Sequence, residues 1–462
     1  MSTRANNRLR LRFVAADVIV AGLGAHGSAA AYHLAKRGTS VLGFDRFDRG
    51  HTLGSSGGLS RIIRLSYYEH PDYVPLLRRA WDLWRELEAE SGERLLTQTG
   101  GVYAGRPDGE LVPGALASAR AHGLAHEVLD TKALRDRFPL FMWVDGWRGV
   151  LEPQAGWLAP ERCIETHLRL AEREGADFRF AEPVERWEST FDGIRVYTRT
   201  GHYDAAHLVI SAGAWTGRLA PSIAPELSVE RNVLFWFEPK AEREAFARLP
   251  VYIVEDTDRF FYGFPYVEGQ GVKVAGLHFG DAADPDTVDR TASPRDEERV
   301  REWLRRRLPL ADGPRRDAKV CMYTNTPDSN FIIDILPEDS NVVVASACSG
   351  HGFKFSSVVG EIEPPRELLR DRGSAGALVD GAERGASDRD RVHAGVLEEA
   401  AVLGRDRRLQ HPRRDAVEGD RDAHAVLRRA LEHGAVGVEH HRPGHGGAQL
   451  RRLERGEPRV GE

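Results

Sequence analysis

Cysteine is scarce, with three in 462 residues. That is too few for a disulfide framework and fits a reducing compartment, so a cytoplasmic protein is expected. Long apolar runs are missing as well. The most hydrophobic stretch, Phe13 to Ala35, follows Arg8, Arg10 and Arg12 as a secretory leader would, but Asp17 and His26 interrupt it, so neither a signal peptide nor a membrane span is expected. Neither sign of charge dominates: 64 basic against 70 acidic side chains give a formal net charge of -6, with no basic block to cover a phosphate backbone, which argues against nucleic acid. No period of 20 to 50 residues recurs, which excludes a solenoid. No metal site is expected.

A second set of absences divides the chain. All 38 Phe, Trp and Tyr precede Glu363, and residues 363–462 hold no Lys, Ile, Met, Asn, Thr or Cys, yet 19 Arg. At an aromatic share of 8%, a hundred residues would miss every aromatic with a probability on the order of 10^-4. Such a segment has little with which to build a core. Two readings remain open, a polar disordered tail and a reading-frame slip near codon 362 of a GC-rich gene; the Arg, Ala, Gly, Pro and His content favours the slip. Residues 1–16 form a polar leader without a motif.

Between these ends a nucleotide site is legible. Asp17-Val-Ile-Val-Ala21 is a short strand, Gly22-Leu-Gly24-Ala-His-Gly27 a glycine turn, and Ser28 to Arg37 a helix. Glycines there allow a tight turn, close approach of backbone to pyrophosphate and close helix packing, with the helix N-terminus facing the phosphate charge. A second strand, Ser40 to Phe44, ends at Asp45, 23 residues after Gly22, where a carboxylate accepts from ribose hydroxyls and repels the 2′-phosphate of NADP. NAD and FAD both remain open on these residues.

Further along, Gly54-Ser-Ser-Gly-Gly-Leu-Ser60-Arg61-Ile-Ile-Arg64 is too polar at its start for a core strand, and in a helix its two arginines would share one face. Leu208-Val-Ile-Ser-Ala-Gly213-Ala-Trp215 reads as a buried strand running into a glycine turn, as a resumed nucleotide domain requires. The chain has only six lysines, and two of them, Lys273 and Lys354, lie between apolar neighbours. A buried ammonium needs an anion or polar ligand beside it. Arg64 with Lys354 would clamp a carboxylate, leaving Lys273 for another task.

With Ser60-Arg-Ile-Ile-Arg64, Phe261-Tyr-Gly-Phe-Pro265, Lys319-Val-Cys-Met-Tyr323, Phe331-Ile-Ile-Asp334 and Ser349-Gly-His-Gly-Phe-Lys-Phe355 in this order, the chain from Asp17 to Ile362 resembles the monomeric sarcosine oxidase family of covalent flavoproteins, which includes N-methyltryptophan oxidase. The resemblance implies FAD joined through the Cys321 sulfur, Lys273 beside flavin N5 assisting dioxygen, and Arg64 with Lys354 on the substrate carboxylate. It further implies Tyr262 over the substrate, Ser60 and Arg61 against the flavin ring, and a Gly350 to Gly352 turn aiming backbone N–H groups at the flavin pyrimidine edge. Ser55, Val184, Gly213, Trp215 and Phe353 complete the cofactor-binding set. The implied reaction is hydride transfer from a small N-methyl or cyclic amino acid to flavin N5, with dioxygen as acceptor, hydrogen peroxide as product and water hydrolysing the imine.

Three features depart from the family. Gly57 stands where a histidine is usual; Leu277 stands four residues after the strand lysine where a histidine is usual, with His278 one place on; and Pro364 and Pro365 stop the closing helix. The expected fold is α/β, with a discontinuous Rossmann-like FAD domain (residues 17–85, 149–225 and 319–362) and an α+β substrate domain with an antiparallel sheet (86–148 and 226–318), followed by the tail 363–462. A monomer acting on a small amino acid is expected. Two other outcomes stay open: an inactive product of a damaged gene, and an NAD-linked dehydrogenase.

Overall fold

The computed structural model describes residues 16–257 and 259–362. The expected polar leader, apart from Ala16, and the tail 363–462 lie outside the described residues. Five parallel strands form the centre of the first sheet, in the order Asp177–Arg179, Val41–Phe44, Ala16–Ala21, Gly201–Ile210 and Val342–Ser346. Both faces of this centre are covered, which is why Ala16–Ala21 is almost wholly apolar. Its side chains alternate: Val18 and Val20 enter a core shared with Trp84, Leu158 and Leu168, while Ile19 and Ala21 enter one built on Leu208, Ile210 and Val344.

The helix Ala25–Lys36 follows directly and buries Ala29, Ala30 and Ala31 completely. Those small side chains let the last described helix, Ser356–Ile362, close against it. A β-carbon added at Gly360 would lie 2.5 Å from the Ala29 carbonyl carbon, so Gly360→Ala forces backbone apart. We expect it to cost about 1–3 kcal/mol and to lower Tm by roughly 2–6 °C; an unchanged melting curve would refute this contact.

A second, nine-stranded and mostly antiparallel sheet covers the nucleotide domain. Ser228–Phe237, Val272–Leu277, Arg259–Gly263 and Val251–Asp256 run side by side, and Gly101–Gly105 and Arg148–Glu152 extend them. The eleven-residue strand Arg315–Asn325 pairs along the whole of Ser228–Phe237. Several expected domain edges therefore need correcting: 85/86 cuts the helix Val74–Ser91 and 225/226 the short helix Ala224–Glu226. The one at 148/149 falls inside Arg148–Glu152 and the one at 318/319 inside Arg315–Asn325, because both strands complete the second sheet by long-range pairing that local composition does not signal.

A small third sheet joins the two units. Arg61–Ile63 and Leu96–Gln98 both pair antiparallel with Gly156–Leu158. Arg61–Ile63 is thus a strand and not a helix, so helical spacing does not put Arg61 and Arg64 on one face. No helix among the described residues is long and apolar enough to cross a membrane.

Candidate active site

One continuous cleft of about 540 Å³ runs between the two units, from the glycine turn and Asp45 to Cys321, Tyr262 and Arg64. Its nucleotide end is set by backbone geometry. Gly22 has φ +99°, and a β-carbon on Gly27 would strike the Gly22 carbonyl oxygen, so the turn and the helix after it require glycine at both positions. Gly27 packs behind the turn, whereas Gly22 and Gly24 line the cleft. Asp45 accepts from the Leu23 N–H (2.9 Å) and the Phe47 N–H (3.0 Å). His51 Nε2 lies 3.3 Å from Oδ1 as well, so Oδ2, with the Leu23 N–H alone, keeps the lone pair that suits a ribose hydroxyl. Val184, Gly213 and Trp215 face the same end of the cleft, and Trp215 is fixed by donating its Nε1–H to Asp286 (2.6 Å).

At the centre of the site Cys321 and Ser55 line the cleft, and the Cys321 thiol donates to the Ser55 carbonyl at 3.3 Å. Arg61 Nη2 lies 3.6 Å from Cys321 Sγ and donates to the carbonyls of Ser55 and Gly57. This places a fixed positive charge beside the sulfur, where it favours the thiolate over the thiol. Gly57 lines the cleft too; a β-carbon there would come within 2.9 Å of Thr52 Cβ, so no larger side chain fits this backbone without displacing Thr52. Gly350, Gly352 and Phe353 form the facing wall, at the start of the chain's last described helical segment.

Ser60 and Lys273 do not line the cleft. Lys273 is 2% exposed and sits directly behind its wall, donating to the carbonyls of Gly58 (2.7 Å) and Ser60 (2.7 Å) and to Ser60 Oγ (3.2 Å). Burial, and then the charge of Arg61, press its pKa well below the ordinary lysine value.

Arg64 and Lys354 do meet at the cleft, both buried. Arg64 already has a carboxylate: its Nη2 donates to both oxygens of Glu69, at 2.6 and 2.7 Å. Burial, the largest single influence, favours protonation of Glu69, but Arg64, His351 and Lys354, with the Arg64 hydrogen bonds, together outweigh it and hold the carboxyl below its ordinary range. Lys354 donates to the His351 carbonyl (2.5 Å) and its pKa is pushed down to about 7, by burial first and then by Arg64, with Glu69 opposing. Tyr262 and Tyr323 line the same region with their hydroxyls 3.4 Å apart, and burial raises both phenols, so they stay protonated. Leu277 faces the cleft, while His278 turns away at φ +54° and binds Glu230 (3.0 Å). The one-residue displacement therefore puts this histidine outside the cleft wall.

Sequence reasoning missed Glu69, Glu152 and Glu161. Glu69 lies five residues past Arg64 with no periodic signature, and Glu161 in the first turn of Pro160–Arg173 resembles any acid at a helix start.

A nucleotide turn that opens onto a thiol, paired phenols and buried cations belongs to a redox enzyme working through a bound dinucleotide. Residues 17–362 match the family described as FAD dependent oxidoreductase, and the chain belongs to that family. The NADP and NAD alternatives fall with that match, and the residues present fit FAD: a carboxylate for ribose, a glycine turn for pyrophosphate and a cleft thiol for attachment. The chain is 44% identical over 352 residues to a monomeric sarcosine oxidase of Streptomyces avermitilis, covering 75% of this chain and 92% of that one. It is 35% identical over 351 residues to an N-methyl-L-tryptophan oxidase of Yersinia pestis, covering 75% and 93%. Among solved structures it resembles NikD, an unusual amino acid oxidase essential for nikkomycin biosynthesis, with a TM-score of 0.68 and 26% identity, over 78% of this chain and 95% of that one. The family match stops at Ile362, next to the point where aromatic residues cease.

Proposed function

We propose that this protein oxidises the C–N bond of a small secondary amino acid, N-methylated or cyclic, such as sarcosine, with dioxygen as acceptor and hydrogen peroxide as product. The observation that carries it is the pair of buried cations, Arg64 and Lys354, facing the cleft that also holds Cys321. FAD, when bound, supplies the two-electron acceptor for the hydride. Arg64 and Lys354 hold the substrate carboxylate and so fix where its C–N bond lies, which is most of what such a site must do. Glu69 keeps Arg64 oriented and charge-balanced until a carboxylate ligand arrives. The phenols of Tyr262 and Tyr323 give the amine a polar wall, and Ile62, Ile253 and Leu277 limit water. Arg61 and Lys273 supply positive charge near developing negative charge on dioxygen, and Cys321 tethers the cofactor through its sulfur. Support for action as a single chain comes from relatives named monomeric, and for a cytoplasmic setting from three free cysteines, Cys163, Cys321 and Cys348.

Peroxide release from a panel of sarcosine, proline, pipecolate and N-methyltryptophan tests the reading. Turnover of at least one of these secondary amines is expected, and none at all defeats it.

Carboxylate binding should also depend on pH in a stated direction. The free-enzyme pKa of Lys354 is about 7, so the side chain is cationic below that pH and neutral above it. A bound carboxylate favours the cation, hence binding above pH 7 takes up a proton. The Kd of acetate, read from the flavin absorption spectrum, should be flat below pH 7 and weaken by up to about tenfold per unit above it. Affinity that improves with rising pH would refute the role of Lys354.

A further inference from the structure

The strand that begins at Arg61 and ends just before Arg64 is only three residues long, Arg61–Ile63, and its register with Gly156–Leu158 covers Arg61 to Leu158, Ile62 to Trp157 and Ile63 to Gly156. So short a ladder does not by itself fix the residues beyond its ends. In this chain each end is held by a carboxylate from the partner segment. Beyond Leu158, Glu161 accepts from two consecutive N–H groups, Gly58 (2.7 Å) and Leu59 (3.0 Å). Before Gly156, Glu152 accepts from Leu65 (2.7 Å) and Ser66 (3.0 Å), and from the Tyr103 hydroxyl (2.8 Å).

The backbone under the first clamp has one hydrogen bond of its own, from the Ser60 N–H to the Gly58 carbonyl (2.8 Å), and relies on outside contacts for the rest. Gly58 has φ +111° and Leu59, a residue with a β-carbon, has φ +66°. With their N–H groups turned to Glu161, the Gly58 and Ser60 carbonyls turn to Lys273, and those of Gly57 and Ser60 to Arg61. The second clamp fixes the two residues directly after Arg64, whose Nη1 reaches back to the Ser66 carbonyl at 3.3 Å. Both acids are thus one peptide away from the cations of the site and touch none of the groups that would react.

We propose that Glu161 and Glu152 are separate positioning residues: Glu161 sets the turn that orders Arg61 and Lys273, and Glu152 sets the carboxylate-binding Arg64. This rests on the function proposed above for those three cations. Two readouts on the holoprotein separate the clamps without any amine substrate. One is the Kd of acetate from the flavin absorption spectrum; the other is the rate at which dithionite-reduced holoprotein is reoxidised by dioxygen. At Glu152, whose two oxygens take one N–H each, glutamine presents a donor to one of them; at Glu161, whose Oε1 takes both N–H groups, glutamine removes the negative charge and the second, 3.2 Å contact of Oε2 with Leu59. Glu161→Gln should slow reoxidation about tenfold and weaken acetate less than about twofold, whereas Glu152→Gln should weaken acetate about tenfold and slow reoxidation less than about twofold, as expected for loss of one charge-assisted hydrogen bond. If a glutamine variant yields no folded holoprotein, the aspartate variant of the same residue, one methylene short, should give the same selective pattern. A merely structural role would lower Tm and shift both readouts together; that result, or no shift in either, overturns the proposal. A parent protein that binds no acetate overturns the reading of Arg64 instead, so the two failures are distinct.

Discussion

Acid precipitation of Cys321→Ala should leave a colourless pellet and all of the flavin in the supernatant, while the parent pellet stays yellow. The effect is all or none because it reports one covalent bond. Cys321 projects from the second sheet, opposite Asn232 on the neighbouring strand, into the cleft, and is 3% exposed. Arg61 lies beside its sulfur, so the thiol meets a positive charge where, as the proposed tether, it would act as a nucleophile. Cys163 is buried in the helix-lined core and does not line the cleft. Cys348 does line it, and its sulfur accepts from the Thr324 N–H at 3.4 Å. A Cys321→Ala protein that kept its flavin would therefore point to Cys348 and refute the assignment.

Lys273→Met should slow reoxidation of the reduced holoprotein by dioxygen about 10²–10³-fold, the scale on which a preorganised charge acts in a site with little water, and should slow reduction by substrate far less. Three oxygens, one for each ammonium proton, surround Lys273 Nζ, and the rings of Phe264 and Trp236 lie 4.7 and 5.3 Å away. Those contacts favour the charged form against burial and Arg61, which press the other way. Methionine fills much of the volume but removes the charge and one of the donors to each of two carbonyls, which keep the Ser60 N–H at Gly58 and Arg61 at Ser60. Stopped-flow traces of the two half-reactions decide the matter: equal slowing of both would mean that Lys273 only holds the turn.

The nucleotide half of the site was legible because its rules are local. A glycine turn between a strand and a helix, and an acid at the end of the next strand, are dictated by φ and by helix N-terminal geometry over some thirty residues, and Gly22, Gly27 and Asp45 stand where that logic puts them. The substrate half was legible as a list of residues and not as an arrangement. Two apolar-flanked lysines stood out in a chain with six, yet nothing in their neighbourhoods told that Lys354 would face the cleft and Lys273 its back wall. The helical spacing considered for Arg61 and Arg64 failed because pairing with Gly156–Leu158, nearly a hundred residues on, made that segment a strand.

By itself the sequence determined that a strand, glycine turn and helix of the kind that suits a dinucleotide open the described chain, which side chains were available for redox chemistry, and where ordinary globular composition ends. Those are properties of neighbours along the backbone. Only the tertiary structure decided which acid answers which base: Glu69 on Arg64, Glu161 beneath the turn at Leu59, Glu152 past Arg64, and Glu230 drawing His278 out of the cleft. A buried charge is stable only in the company of a particular partner, and the partner is chosen by how distant segments pack.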